Sequence, residues 1–170
     1  TRMDTITSQV IRSALVSAAE EMRLALVKTA YNPLIYEVQD FAVALLNAKG
    51  EMLAQGSSLP LFLPCLSLTI QSGLKKFGAD GFEPGDVLIA NDPYSTGTHI
   101  SDTSIYTPIF YDGELQAFSA NTAHWADVGG KTPGGWCPDS NDVFQEGMIF
   151  SHLKLYEDGQ INQTMMDYIM

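Results

Sequence analysis

The sequence predicts an α+β fold: a long N-terminal helix packed on mostly antiparallel hairpins, with candidate metal-site loops at strand ends. Three observations carry this. Apolar residues recur at helical spacing over residues 5–30. Beyond Pro33 the pattern shortens to strand-like runs, three of which end in a tight turn. The order helix, hairpin, helix, strand, hairpins matches segregated helices and an antiparallel sheet, not a repeating βαβ pattern.

In the first helix, Ile11, Leu15, Ala18, Met22 and Ala25 alternate spacings of four and three and build one apolar stripe. Glu20, Glu21, Arg23 and Lys28 fall off it, and Thr5, Thr7 and Ser8 are N-cap candidates. Pro33 ends the helix before it, because the residue preceding proline disfavours helical backbone. Phe41 to Leu46 reads as a buried strand, Asn47 to Gly50 as a turn, and Glu51 to Ala54 as the return. Ile105 to Phe110 and Leu115 to Ala120 flank Asp112-Gly113; Phe150 to Tyr156 precedes Asp158-Gly159. Asp-Gly between apolar runs is a strong hairpin signal. Ser67 to Phe77 reads as a second helix, with Gly78 as its C-cap, and Val87 to Ala90 as a short strand leading into Asn91. Residues 129–142 form a long glycine- and proline-rich loop, a type that is often functional.

Charge and composition narrow the function. The 170 residues suit one domain or a large part of one, and 45% are hydrophobic, enough for a core. The net charge of −11 with only nine Lys and Arg argues against a phosphate-backbone binder, so no nucleic-acid partner is expected. No apolar run approaches the roughly 18 residues of a membrane span. Cys65 and Cys137 have no CxxC spacing and read as unpaired thiols of a cytoplasmic protein. Asn162 to Met170 reads as an amphipathic helix without a stop signal, which is expected to need a partner surface and a continuing chain. The apolar stretch Leu59 to Leu66 lacks strand alternation, as expected where several surfaces meet.

Of the three histidines, His99 and His124 lie in polar loop-like stretches, each followed three residues later by an aspartate, Asp102 and Asp127. Two imidazoles and one carboxylate on one face of an ion leave the other face open to water or substrate. His99, Asp102 and His124 can supply that set. Asp92 or Asp127 can orient the imidazoles from behind, and Asp40, just before a buried strand, can also reach the site. In the alternative reading the histidines are loop residues bonded to neighbouring aspartates. His152, in an apolar run, reads as a structural histidine. Gly129-Gly130 and Gly134-Gly135 can either cradle an anion or simply turn the chain, and Trp125 and Trp136 either wall a pocket or pack. No phosphate-loop motif and no nucleophile elbow is present.

The run Asn91-Asp92-Pro93-Tyr94, then Gly97-Thr98-His99 and Asp102, resembles the hydantoinase B/oxoprolinase family, which includes acetone and acetophenone carboxylase subunits. The likeness continues through Pro108 to Leu115 and through Ala123-His124-Trp125-Ala126-Asp127-Val128-Gly129-Gly130. Asp40-Phe41 and Leu53-Ala54-Gln55 fit as well. Departures lie at Tyr36 to Gln39, at Thr96 and at Pro138-Asp139-Ser140. The resemblance implies that residues 1–170 are the N-terminal portion of a longer catalytic subunit. It implies metal ligation by His99, Asp102 and His124, with Zn, Mn or Fe as the divalent ion. It implies a hydantoinase A-like partner that binds ATP and phosphorylates the substrate's carbonyl oxygen. This chain's subunit would then complete hydrolytic ring opening of a cyclic amide or, as an alternative, carboxylation of a ketone. A reading of another class is a non-catalytic assembly module.

Overall fold

The computed structural model describes residues 4–135 and 137–170. The elements in chain order are α1 (Thr5–Thr29), the short α2 (Pro33–Tyr36), β1 (Phe41–Asn47), β2 (Met52–Gln55), α3 (Leu63–Phe77), β3 (Val87–Ala90), α4 (Pro93–Thr96), β4 (Asp102–Tyr111), β5 (Glu114–His124), β6 (Leu153–Glu157), β7 (Gln160–Ile161) and α5 (Gln163–Ile169). The strands form one seven-stranded sheet in the order β2-β1-β5-β4-β3-β6-β7, and every pairing is antiparallel. This is the α+β architecture expected.

The sheet is buried on both faces, so alternate residues of β1 enter different cores. Ala42, Ala44 and Leu46 join Leu66 and Ile70 of α3, with Leu88, Tyr106 and Phe118. Phe41 and Val43 face the other way, against Met22, Leu26 and Val27 of α1. On that same face, Ile89, Phe150 and Leu155 pack with Met165, Met166 and Ile169 of α5. Three apolar residues of the last helix therefore rest on its own sheet, while Tyr168 and Met170 stay exposed.

Both β4–β5 and β6–β7 close through Asp-Gly turns in which aspartate and glycine are left-handed: φ is 52° and 78° at Asp112 and Gly113, and 48° and 72° at Asp158 and Gly159. Left-handed pairs of this kind match the twist of the flanking strands. Gly78, at φ 72°, caps α3 as anticipated.

Beyond shifts of a few residues at strand ends, three features differ from the sequence reading. The buried side of α1 runs through Leu15, Ala18, Ala19 and Met22 to Leu26, whereas Ile11 and Ala25 are exposed. A strict four–three spacing has a period of 3.5, and a straight helix at 3.6 drifts off it by about 20° per heptad. Arg23, expected to fall off the stripe, is half-buried and held by Glu20 at 2.6 Å. The N-cap is Asp4, whose carboxylate accepts from the amides of Ile6 and Thr7.

The second difference is α3, which begins at Leu63 and not at Ser67. Pro60 and Pro64 sit in opening turns, where a missing amide costs nothing. Phe62, Leu63 and Leu66 then enter the core, leaving Leu59 and Leu61 outside it. The third is β6, which begins at Leu153 because His152 takes a left-handed φ of 57°.

Candidate metal centre

The run that leaves β3 folds around one side chain. Asn91 is fully buried. Its amide nitrogen donates to the carbonyls of Ile100 and Met148 at 2.8 and 3.0 Å, and its oxygen accepts from the Phe150 amide at 2.6 Å. The end of β3 is thereby tied both to the turn at Ile100 and to the distant segment Met148–Phe150. Asp92 then caps α4, accepting from the Tyr94 amide, and Pro93 occupies the first turn. Gly97, left-handed at φ 76°, ends that helix and turns the chain toward His99.

His99 and Asp102 meet across a tight turn in which the Asp102 amide donates to the His99 carbonyl at 3.0 Å. Asp102 opens β4 and His124 closes β5, and the two are direct cross-strand partners. A two-sided grip results. Asp102 places Oδ2 3.3 Å from Nδ1 of His99 and Oδ1 3.1 Å from Nδ1 of His124. The imidazole rings stand nearly perpendicular, 5.2 Å apart. One potential ligand atom from each of the three residues lies within 4.8 Å of the others. Ligands on one ion at about 2.0–2.2 Å can be up to ~4.4 Å apart, so the set needs only a slight contraction to share an ion. The donors, two imidazole nitrogens and a carboxylate, suit zinc, manganese or iron. His99 is the open side of the cluster, with 62% of its side chain exposed against 3% for Asp102.

Burial pushes the Asp102 carboxyl above the usual carboxylate range, the two imidazoles oppose that, and the negative charge of Asp40 adds to it. A buried acid at a crowded, partly paired site is a common mark of functional placement.

Asp40 belongs to this neighbourhood: its carbonyl accepts from the His124 amide at 3.0 Å, and it lines the same cavity. Asp92 and Asp127 are occupied elsewhere. Beyond its capping role, Asp92 accepts from the Ser151 hydroxyl at 3.0 Å. Asp127 accepts from the amides of Gly129 and Gly134 at 2.8 and 3.4 Å. The glycine loop does cradle an anion, and that anion is the chain's own carboxylate. Trp125 packs edge-on against Phe150, and Trp136 lies outside the described residues. His152 is buried and hydrogen-bonded to the Tyr106 hydroxyl at 2.9 Å, as a structural histidine would be.

A cavity of about 780 Å³ opens beside the cluster. His99, Asp102, His124 and Asp40 form its polar side; Leu34, Leu61, Phe62 and Cys65 form its apolar side. On the other side of the histidine pair is a second cavity of about 310 Å³, bounded by Ser101, Cys137 and Glu146. The sequence reading missed Asn91 as a fastener, and Leu34, Leu61, Phe62 and Cys65 as a wall. The one available signal was the apolar stretch Leu59 to Leu66 without alternation, read instead as a subunit contact.

The fold and site together define an antiparallel α+β protein that presents two histidines and a buried aspartate, a set able to hold a metal ion, beside a ligand-sized cavity. The comparisons are more specific. The profile of the Hydantoinase B/oxoprolinase family matches residues 4–170, and the chain belongs to that family. It is 38% identical over 170 residues to an uncharacterized protein of Methanocaldococcus jannaschii, covering 98% of this chain and 30% of that one. It is 34% identical over 168 residues to the beta subunit of caprolactamase from Pseudomonas jessenii, covering 99% of this chain and 29% of the relative. The crystal structure of that ATP-dependent caprolactamase superposes with a TM-score of 0.91 over 99% of this chain and 29% of the other. Nucleotide-free acetone carboxylase shares the fold at a TM-score of 0.90 and 20% identity, covering 98% of this chain and 22% of that one. The chain thus spans less than a third of the length of these relatives. No helix among the described residues is long and apolar enough to cross a membrane.

Proposed function

We propose that this chain is the metal-site portion of a subunit of an ATP-dependent cyclic amidohydrolase that opens a lactam- or hydantoin-type ring. The observation that carries the reading is the meeting of His99, Asp102 and His124 at the mouth of a cavity with an apolar wall. The likeness to a caprolactamase beta subunit supports the hydrolytic form of the reaction.

In this reading His99, Asp102 and His124 hold one divalent ion, and an ion so held supplies Lewis-acid polarisation of an oxygen or a more acidic bound water. The protein's own part can be read from its bonds. Asp102 holds the His124 ring by a hydrogen bond and sets its other oxygen 3.3 Å from His99, and the β4–β5 register fixes Asp102 against His124. Asp40, free of the imidazoles and facing the cavity, is placed to take a proton there. Activation of the amide falls to a hydantoinase A-like partner that binds ATP, since this sequence holds no phosphate loop. Both cysteines are free thiols, which suits a reducing cytoplasm.

The test uses the natural polypeptide purified with its partner. Metal analysis should find one divalent ion per chain, absent from soluble His99→Ala and His124→Ala variants. Ring-opened acid should form only with ATP and both subunits together. Robust ATP hydrolysis by this polypeptide alone would refute the assignment, as would a ketoacid product requiring bicarbonate. A complex without metal would point to an assembly module.

A further inference from the structure

The smaller cavity, behind the histidine pair, is bounded by an acid that the chemistry above does not use. His99 and His124 border both cavities, so the pair is a partition between them. On the far side the partition faces Ser101, Cys137 and Glu146. Four acids lie between Trp125 and Phe150, and three are engaged by the loop itself. Asp127 accepts from two glycine amides, Asp139 pairs with Lys131 at 3.1 Å, and Asp142 caps the turn at Phe144. Glu146 is the fourth.

Two close approaches build its position. A Cβ on Gly130 would stand 2.5 Å from the Glu146 carbonyl oxygen, and one on Gly147 would stand 2.8 Å from the Val128 carbonyl oxygen. Backbone bonds hold the same two segments together: the Lys131 amide donates to the Gln145 carbonyl and the Met148 amide to the Val128 carbonyl, each at 2.8 Å. Gly130 is not among the glycines with a left-handed φ, so glycine supplies room for another backbone there, not a turn. The chain that continues from His124 is thereby pressed onto the chain that carries Glu146.

An imidazole bound to an ion through one nitrogen carries a proton on the other, and an acceptor for that proton orients the ring and makes it a better ligand. Asp102 stands at Nδ1 of both rings and is itself one of the three candidate ligands. An acceptor for the outer edge of a ring has to come from a cavity that the rings border, and on the smaller side the carboxylate there is Glu146.

We propose that Glu146 is a positioning residue for the metal centre, its carboxylate accepting a ring N–H of the histidine pair from the smaller cavity, and that Gly130 is glycine in order to bring it there. The inference rests on the metal-binding part of the reading above and not on the reaction assigned to it.

The natural polypeptide with its partner, stripped of metal, is titrated with Co2+, whose visible absorption reports affinity and ligand geometry together. Glu146→Ala should weaken binding about tenfold or more, loss of such a carboxylate typically costing about 10–100-fold in metal affinity, and should shift the visible bands. Gly130→Ala should weaken binding too, and combining the two should be no worse than Glu146→Ala alone, because both act on one contact. Glu146→Ala leaves the backbone bonds in place and decides the matter if Gly130→Ala does not fold. Unchanged affinity and bands in Glu146→Ala overturn the inference while the metal reading stands, and fully additive losses overturn the role given to Gly130. Wild-type protein that binds neither Co2+ nor Zn2+ overturns the metal reading and the inference with it.

Discussion

His152 shows how much a single buried side chain can commit. Its Nδ1 bonds to the Tyr106 hydroxyl, while its Nε2 is buried without a partner. Burial, with Lys76 close by, pulls its pKa down to about 4 from 6.5, so the ring is neutral in the fold. The sign follows directly: between these two values the unfolded chain binds a proton that the folded chain refuses. Stability is intact above pH 6.5 and falls as the pH drops toward 4, by roughly 3 kcal/mol in all. Denaturant melts across that range should show this loss, and His152→Asn should flatten the profile. Asparagine tolerates the left-handed backbone found there, so a flattened profile would report the lost titration and not a broken turn. Asp102 differs in kind. It is also buried and its carboxyl is also shifted, but both its oxygens are engaged, and by the two residues best suited to share an ion with it.

Between elements, α3 fits tightly against β4 at Gly73. A Cβ placed on Gly73 would stand 2.5 Å from the Tyr106 hydroxyl oxygen, the group that also meets His152. Gly73→Ala gains helix propensity worth about 1 kcal/mol, but it must displace a buried tyrosine from its partner, an overpacking cost of about 1–3 kcal/mol. The net expectation is a lower melting temperature together with a changed Tyr106 environment in near-ultraviolet circular dichroism. The sequence conveyed such matters unevenly. Hairpins were legible because Asp112-Gly113 and Asp158-Gly159 act through local backbone preference. His99, Asp102 and His124 were legible as candidates because so few histidines occur, and because their loops carry a family motif. The start of α3 was not, since Pro60 and Pro64 look like breakers until their first-turn positions are known. Nor was Asn91, whose partners Ile100, Met148 and Phe150 are set by tertiary structure alone. The cavity wall stayed hidden for the same reason: Leu34 and Leu61 come to line one cavity with Asp102 only after the sheet has formed.

For the whole molecule, support is uneven along its length. The sheet is covered on both faces, and α1 lies along one of them only from Leu15 onward. Residues 4–14 are exposed throughout, with Ile6 at 75% and Val10 at 63%. Helices shorter than about 12–15 residues are marginal in water by themselves, and this stretch has little beyond the Asp4 cap and the turns that follow to hold it. Local opening free energies vary across a native structure in the same way that packing does. Amide hydrogen exchange on this chain should therefore divide one continuous helix into two populations. Amides ahead of Leu15 should exchange by fraying, within seconds to minutes at neutral pH, and those from Ala19 to Leu26 only through far rarer openings. Uniform slow exchange along the whole helix would contradict that division. A single rod in outline, α1 is in thermodynamic terms a rigid beam with a loose end, and whatever settles on the loose end determines how long the beam is.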